Sequence, residues 1–171
     1  MPDMSANPYA PPAARVDDVT QTEAAPSLWN PNAAANWSLL FSPAFGAWLH
    51  MKNWRALGES EKAEGSRRWI IISLILIVGS SLASGLLADS RALDGASRTI
   101  ALVLLFAWYF SSARAQAAYI KQRYGKDYPR KGWARPLSWA FGAMIGFFIV
   151  VFVVAFMIGM ASAGVAGTPG R

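Results

Sequence analysis

The residues best equipped for chemistry crowd one segment, Tyr119-Ile-Lys-Gln-Arg-Tyr-Gly-Lys-Asp-Tyr-Pro-Arg-Lys-Gly-Trp-Ala-Arg-Pro-Leu137. From Arg114 to Arg135, seven basic residues (Arg114, Lys121, Arg123, Lys126, Arg130, Lys131 and Arg135) interleave with Tyr119, Tyr124, Tyr128 and Trp133. Such a mixture suits non-covalent recognition, because cations attract anionic lipid headgroups while aromatic rings insert at the same depth. The same residues would also serve as a plain topological anchor beside a membrane span. This segment is the candidate lipid or partner surface. Asp127 more simply balances Lys126 and Arg130 than acts as a catalytic acid.

Covalent chemistry has little to work with. The chain has no Cys, which excludes disulfides, thiolate metal sites and cysteine nucleophiles, and one His, which excludes a multi-histidine metal site. There is no HExxH, no acidic pair, and no dyad beyond one that His50 could join. His50, beside Lys52 and near Trp48, could switch with pH, but an interfacial histidine needs no such role. No catalytic, metal or cofactor-binding residue is assigned, no cofactor is called for, and the chain is read as a non-enzyme.

The elements that would position the basic segment are apolar and long. Of 171 residues, 54% are hydrophobic and 15% charged, against roughly a quarter charged in an ordinary soluble domain. Four apolar runs stand out, Ala33–Met51, Trp69–Ala88, Thr99–Ala113 and Leu137–Ala166. From the N-terminal tail through the three loops to the C-terminal tail, Lys plus Arg number one, five, two, seven and one. Alternation of this kind marks a chain threaded through a membrane with its basic loops in the cytoplasm. The net charge of +6 could suggest nucleic acid, but thirteen of the sixteen basic residues fall in Lys52–Arg68, Arg91 and Arg114–Arg135, the first and last flanking apolar runs. No nucleic-acid partner is expected.

The runs differ in strength. Trp69–Ala88 has twenty residues, enough for a ~30 Å core at ~1.5 Å per residue, with Arg67, Arg68 and Trp69 at its interface and Ser66 placed to cap it. Leu137–Ala166 is the second secure span, marked by Trp133 and Trp139. Thr99–Ala113 continues in helical pattern from about Ser97 to Tyr124, where Gly125 could end it. Ala33–Met51 is diluted by Asn36, Ser38, Ser42, Gly46 and His50, and Pro43 should kink it. The loop charges favour counting it as a span; the alternative lays it in the interface.

The fold class expected is therefore an all-α membrane protein, a small bundle of four transmembrane helices, with three as the alternative. The spans are predicted at about 33–51, 69–88, 97–118 and 137–160, within a membrane domain covering 33–166. A Pro/Ala-rich disordered tail, 1–32, precedes it and a short tail, 167–171, follows. Four spans would put both termini outside. The acidic first 25 residues, with Asp3, Asp17, Asp18 and Glu23, hold no apolar signal core, so the first membrane segment should itself target the chain. The short connection Asp89–Arg98 makes the middle spans antiparallel neighbours.

Small residues mark candidate helix-packing faces. Gly142 and Gly146 form a GxxxG, and Gly79, Ala83, Ser84 and Gly85 supply small residues in the second span. Residues four apart share a helix face and allow close backbone approach, which drives association in lipid. No Asp or Glu lies inside any span, which lowers the case for an ion-coupled transporter. Ser42-Pro-Ala-Phe-Gly-Ala47 and Ser138-Trp-Ala-Phe-Gly-Ala143 match at five of six positions, an echo read as coincidence.

The Asn7-Pro-Tyr-Ala-Pro-Pro12 opening, Asn53-Trp-Arg-Ala-Leu-Gly58 and Trp133-Ala-Arg-Pro-Leu137 give the chain a resemblance. It resembles the small uncharacterised multi-pass inner-membrane proteins of proteobacteria. That resemblance implies a bacterial inner-membrane location and carries no activity and no functional residue. The function expected is an accessory or scaffold subunit acting through helix–helix association, with a protein partner or as a homo-oligomer, and with membrane lipid around it. The alternatives are a small channel or transporter subunit, or an organiser that binds anionic lipid.

Overall fold

The computed structural model describes residues 24–86 and 91–166, with side chains described over 24–83 and 95–161. Most of the expected N-terminal tail, residues 1–23, and all of the C-terminal tail, 167–171, lie outside the described residues. The helices are α1 (Pro31–Phe41), α2 (Pro43–Ala56), α3 (Ser60–Leu86), α4 (Arg91–Trp108), α5 (Arg114–Tyr124) and α6 (Ala134–Ala166), with a π turn, Tyr109–Ala113, joining α4 to α5. The protein is all-helical. Among the described residues the one extended pairing is a parallel bridge between Leu28 and Arg130.

Among the described residues three helical stretches, not four, are long and apolar enough to cross a membrane: Ser60–Ala83, Gly95–Tyr124 and Ala134–Ala161. The predicted span at 33–51 is not among them. It breaks at Ser42, whose backbone adopts φ 127° and ψ 163°, and Pro43 then starts α2 at its first position, where a missing N–H does no harm. The pieces have 11 and 14 residues, roughly 16 and 21 Å long, and neither reaches across ~30 Å of hydrocarbon.

The two pieces fold back as a hairpin. Trp29, just before α1, exchanges hydrogen bonds with Asn53 near the end of α2, donating its N–H to Oδ1 at 3.0 Å and accepting from Nδ2 at 2.8 Å. His50 Nε2 lies 3.3 Å from the Pro31 carbonyl, and deeper along the pair Ser38 faces Gly46. The chain enters and leaves the hairpin at one end. That end also carries the α5–α6 loop, because Leu28 N–H donates to the Pro129 carbonyl and Lys131 N–H to the Leu28 carbonyl. The count of four spans is thus not confirmed. Three membrane-length helices match the alternative count, and in the hairpin Ala34, Ala47, Leu49 and His50 are fully buried in protein.

Local signals explain the joints. Asn30 caps α1, its side chain accepting from the Asn32 and Ala33 amides. Gly58, at φ 76°, ends α2 in a Schellman arrangement, with Glu59 N–H reaching the Trp54 carbonyl and Gly58 N–H the Arg55 carbonyl. The turn sends α3 back along α2, two turns earlier than the sequence suggested. Ser66 consequently lies within α3 and donates to the Lys62 carbonyl rather than capping. At the far end α4 is already helical from Arg91, where a loop was expected to Arg98. Gly125, at φ 69°, ends α5 as anticipated.

The π turn resets the phase of the last inward-facing stripe. Leu104, Trp108, Ala113, Gln116 and Ile120 are the buried residues of α4, the π turn and α5, and the one five-residue step, Trp108 to Ala113, falls on the turn. An uninterrupted α-helix would carry the stripe through Ser112 and rotate Gln116 off the hairpin. Trp108, with no exposed surface, packs on Ala35, Ala47 and Ala113, flanked by Trp69, Ile70 and Leu105. A second core joins Met51, Trp54 and Ala63.

No helix packs along α6 among the described residues, and of its membrane-length stretch only Pro136, at the loop end, is buried. It meets the hairpin near the tip, where Phe141 sits edge-on to Phe41 with ring centroids 5.0 Å apart. The sequence echo has no structural counterpart: 42–47 starts a half-length helix after a break, whereas 138–143 lies in uninterrupted α6.

Candidate functional site

A buried polar spine holds the hairpin against α5. Asn53 and Gln116 are fully buried in the protein. Besides its bonds to Trp29, Asn53 donates from Nδ2 to Gln116 Oε1 at 3.2 Å, and Gln116 donates from Nε2 to the His50 carbonyl at 2.9 Å. One side chain from α2 and one from α5 thereby satisfy backbone groups at the hairpin mouth that lipid could not. Next to them, His50 stacks obliquely on Trp108 with ring centroids 5.4 Å apart. Burial pushes His50 down to about 4, against a smaller upward pull from the Pro31 carbonyl. His50 is neutral at pH 7, and its position inside the protein replaces the interfacial one that the sequence suggested.

The basic and aromatic residues of 114–135 separate into distinct places. Tyr119 and Arg123 join the α2–α3 turn: the Tyr119 hydroxyl donates to Glu59 Oε1 at 2.6 Å, and Arg123 Nη1 donates to that hydroxyl at 2.9 Å. Lys62 completes this cluster, 3.1 Å from Glu59 and over the rings of Trp54 and Tyr119. Hydrogen bonds from Tyr119 and then Lys62 hold the Glu59 carboxyl below its ordinary range. This cluster uses its charges internally and closes the joint between α2, α3 and α5.

Arg130, Lys131 and Arg135 go elsewhere. Arg130 pairs with Leu28 and lays its guanidinium over Tyr128, whose hydroxyl is pushed up by burial. Lys131 Nζ stands 4.5 Å from the centre of the Trp29 ring, and Trp29 Nε1 donates to the Gly132 carbonyl at 3.1 Å. Beside them opens a cavity of about 620 Å³ lined by Trp29, Trp48, Lys52, Lys131, Arg135 and Trp139, with Gly132, Ala134 and Pro136. Among the described residues no carboxylate contributes to its wall. Arg114, Lys121 and Lys126 are exposed, Tyr124 is half-buried beneath Arg123, and Trp133 is half-buried outside the cavity. The cavity's α2 wall and Trp29 were not among the residues singled out from sequence. Trp48 and Lys52 had been read only as neighbours of His50 and as interface markers.

Of the candidate helix-packing residues, Gly142 and Gly146 have open space where a Cβ would stand, as has Gly79. Gly79 and Ala83 line a second, apolar groove of about 830 Å³ between α3 and α4, floored by the hairpin tip at Ser38, Ser42 and Pro43. Ser84 and Gly85 lie beyond the residues whose side chains are described. The glycine that is closely packed is Gly46, which the sequence placed only among residues diluting an apolar run. A Cβ there would overlap both Ser38 Oγ and the edge of the Trp108 indole.

Comparison with family models, with curated proteins and with solved structures returned no match.

Proposed function

We propose that this chain is a non-enzymatic protein of the bacterial inner membrane that acts through helix–helix association, as an accessory or scaffold subunit. The observation that supports this is α6. It is a 33-residue helix whose flanks are not covered by the rest of the chain, and it presents Gly142 and Gly146 with space for a second backbone to approach. The occupant would be a helix of a protein partner or of a second copy. Its basic loops, with five and seven Lys plus Arg, would lie in the cytoplasm together with the hairpin mouth.

Native mass spectrometry of the protein extracted in mild detergent tests this. A defined complex is expected from the wild type and its loss from Gly142→Leu/Gly146→Leu. Complexes that survive both substitutions would overturn the α6 interface, and a bare monomer from the wild type would overturn association altogether.

One observation favours a second reading, a small channel or transporter subunit. Non-helical backbone at membrane depth is tolerated where it is buried in protein or lines a cavity, and the Ser42–Pro43 break borders the α3–α4 groove. Solute flux into liposomes carrying the purified protein alone would support it, and tight liposomes would count against it.

A further inference from the structure

We propose that the cavity between the hairpin, the α5–α6 loop and the start of α6 binds the phosphate headgroup of an anionic membrane lipid. The charge is of the right sign and is not already spent. Lys52, Lys131 and Arg135 line the cavity, no carboxylate does, and the ion pairs among the described residues engage Lys62 and Arg67 instead. Lys52 and Lys131 instead stand over indoles, 5.1 Å from the Trp48 ring and 4.5 Å from that of Trp29.

The wall is also built rather than incidental. Trp29 is fixed from three directions: by its backbone bonds to Asn53, by its indole N–H on the Gly132 carbonyl, and by the pairing of Leu28 with the loop. A volume of about 620 Å³ falls within the ~300–1,000 Å³ of ordinary ligand sites.

Its polarity selects a lipid over a free phosphate. Along α2, Lys52 lies at the hairpin mouth and Trp48 one turn nearer the tip. Along α6, Arg135 lies in the first turn and Trp139 one turn deeper into the span. Both walls place the cation outside and the indole inside, in the order headgroup then glycerol and acyl chain. Trp139 is 75% exposed, and its face of α6 continues through Ala143, Phe147 and Val150, an exposed apolar flank along which no other helix packs among the described residues. A soluble phosphate would engage the cations and leave that flank unused, whereas acyl chains would cover it.

The test is retention of added lipid by the full-length protein in mild detergent, read by native mass spectrometry. The probes are phosphatidylglycerol, phosphatidylcholine and inorganic phosphate. Phosphatidylglycerol is expected to bind and phosphatidylcholine not, and millimolar phosphate should not displace it.

Lys52→Gln/Lys131→Gln/Arg135→Gln should weaken binding about 100-fold, roughly fivefold per cation. Arg135→Gln alone, an exposed change that the fold tolerates, should give roughly the single fivefold step. Arg55→Gln/Lys121→Gln/Lys126→Gln removes the same charge from exposed positions outside the cavity and should leave binding near wild type. Equal loss from both triple variants, or equal retention of the two lipids, would overturn the site. Displacement by phosphate would overturn the lipid assignment.

Discussion

Replacing Gly46 by Ala and replacing Gly65 by Ala are the same chemical change on two helices, and the fold requires opposite outcomes. At Gly65 on α3 a Cβ meets nothing within 4 Å. Lower backbone entropy in the unfolded chain should therefore stabilise that variant by roughly 0.5–1 kcal/mol. At Gly46 the same methyl collides with Ser38 Oγ and the Trp108 indole. Neither neighbour yields cheaply. The Ser38 hydroxyl is tied to the Ala34 carbonyl at 2.9 Å, and Trp108 is enclosed with no exposed surface. Overpacking of a closed core costs about 1–3 kcal/mol, and moving Ser38 forfeits a hydrogen bond worth about 1 kcal/mol net. Offset by the helix-propensity gain, Gly46→Ala should destabilise by about 2 kcal/mol, so the two variants should differ by about 3 kcal/mol. Denaturant unfolding in mild detergent, followed by circular dichroism, measures both. In a Ser38→Ala background Gly46→Ala should cost about 1 kcal/mol less, because one of its two obstacles is gone. Equal responses at Gly46 and Gly65 would refute the close hairpin crossing.

Three further outcomes follow from the hairpin. Asn53→Ala strands the Trp29 amide and carbonyl together with Gln116, and should cost about 2–4 kcal/mol, with strong non-additivity against Gln116→Leu in a double-mutant unfolding cycle. Ser42→Gly relieves a backbone conformation that side chains rarely adopt, and should raise stability by about 1–2 kcal/mol where Ser42→Ala does not, by the same unfolding assay. His50 has its folded pKa near 4, below the ordinary 6.5, so the unfolded chain takes up the proton first and stability present above pH 6.5 is lost on acidification. The loss from pH 7.5 to 5 should be about 2 kcal/mol and should vanish in His50→Gln. Glu59, whose carboxyl is held low, loses its contribution only at still lower pH and does not confound that window.

What was legible in the sequence is what lipid demands of a helix. Continuous apolar length locates α3, the α4–α5 run and α6, because nothing but a satisfied helix survives that solvent. Gly125 was readable as well, as a glycine placed where a helix must end. The hairpin was not. Pro43 announced an irregularity, but a kinked span and a reversed pair of half-helices have the same hydropathy. What separates them is Ser42's backbone and the closure of Trp29 on Asn53, a contact between residues 24 apart. Asn53 and Gln116 look like loop and surface residues, since a polar side chain carries no sign of being buried against another. The cavity shares that opacity, since its cations come from three places, Lys52 on α2, Lys131 in the loop and Arg135 on α6. Reading 114–135 as one surface merged two structures, the closed Glu59–Lys62–Tyr119 cluster and the open cavity.

The polar content around the first segment and its folding as two short helices rather than one of membrane length have a common cause. Asn53, Gln116, Ser38 and His50 would each be costly against acyl chains, yet inside the protein all four make at least one hydrogen bond or polar contact within 3.3 Å. Their partners are Ala34, Pro31 and Trp29 within the hairpin itself and, across the Asn53–Gln116 pair, the rephased α5. A segment so enclosed has no need to cross. Its two short helices gain their stability from Trp108 and the alanines around it, and the break at Ser42 is where turning back becomes shorter than going through. The chain therefore begins its membrane domain at the end where its basic loops gather. Leu28 and Trp29 are thereby brought to the α5–α6 loop, and Trp29 becomes one wall of the cavity.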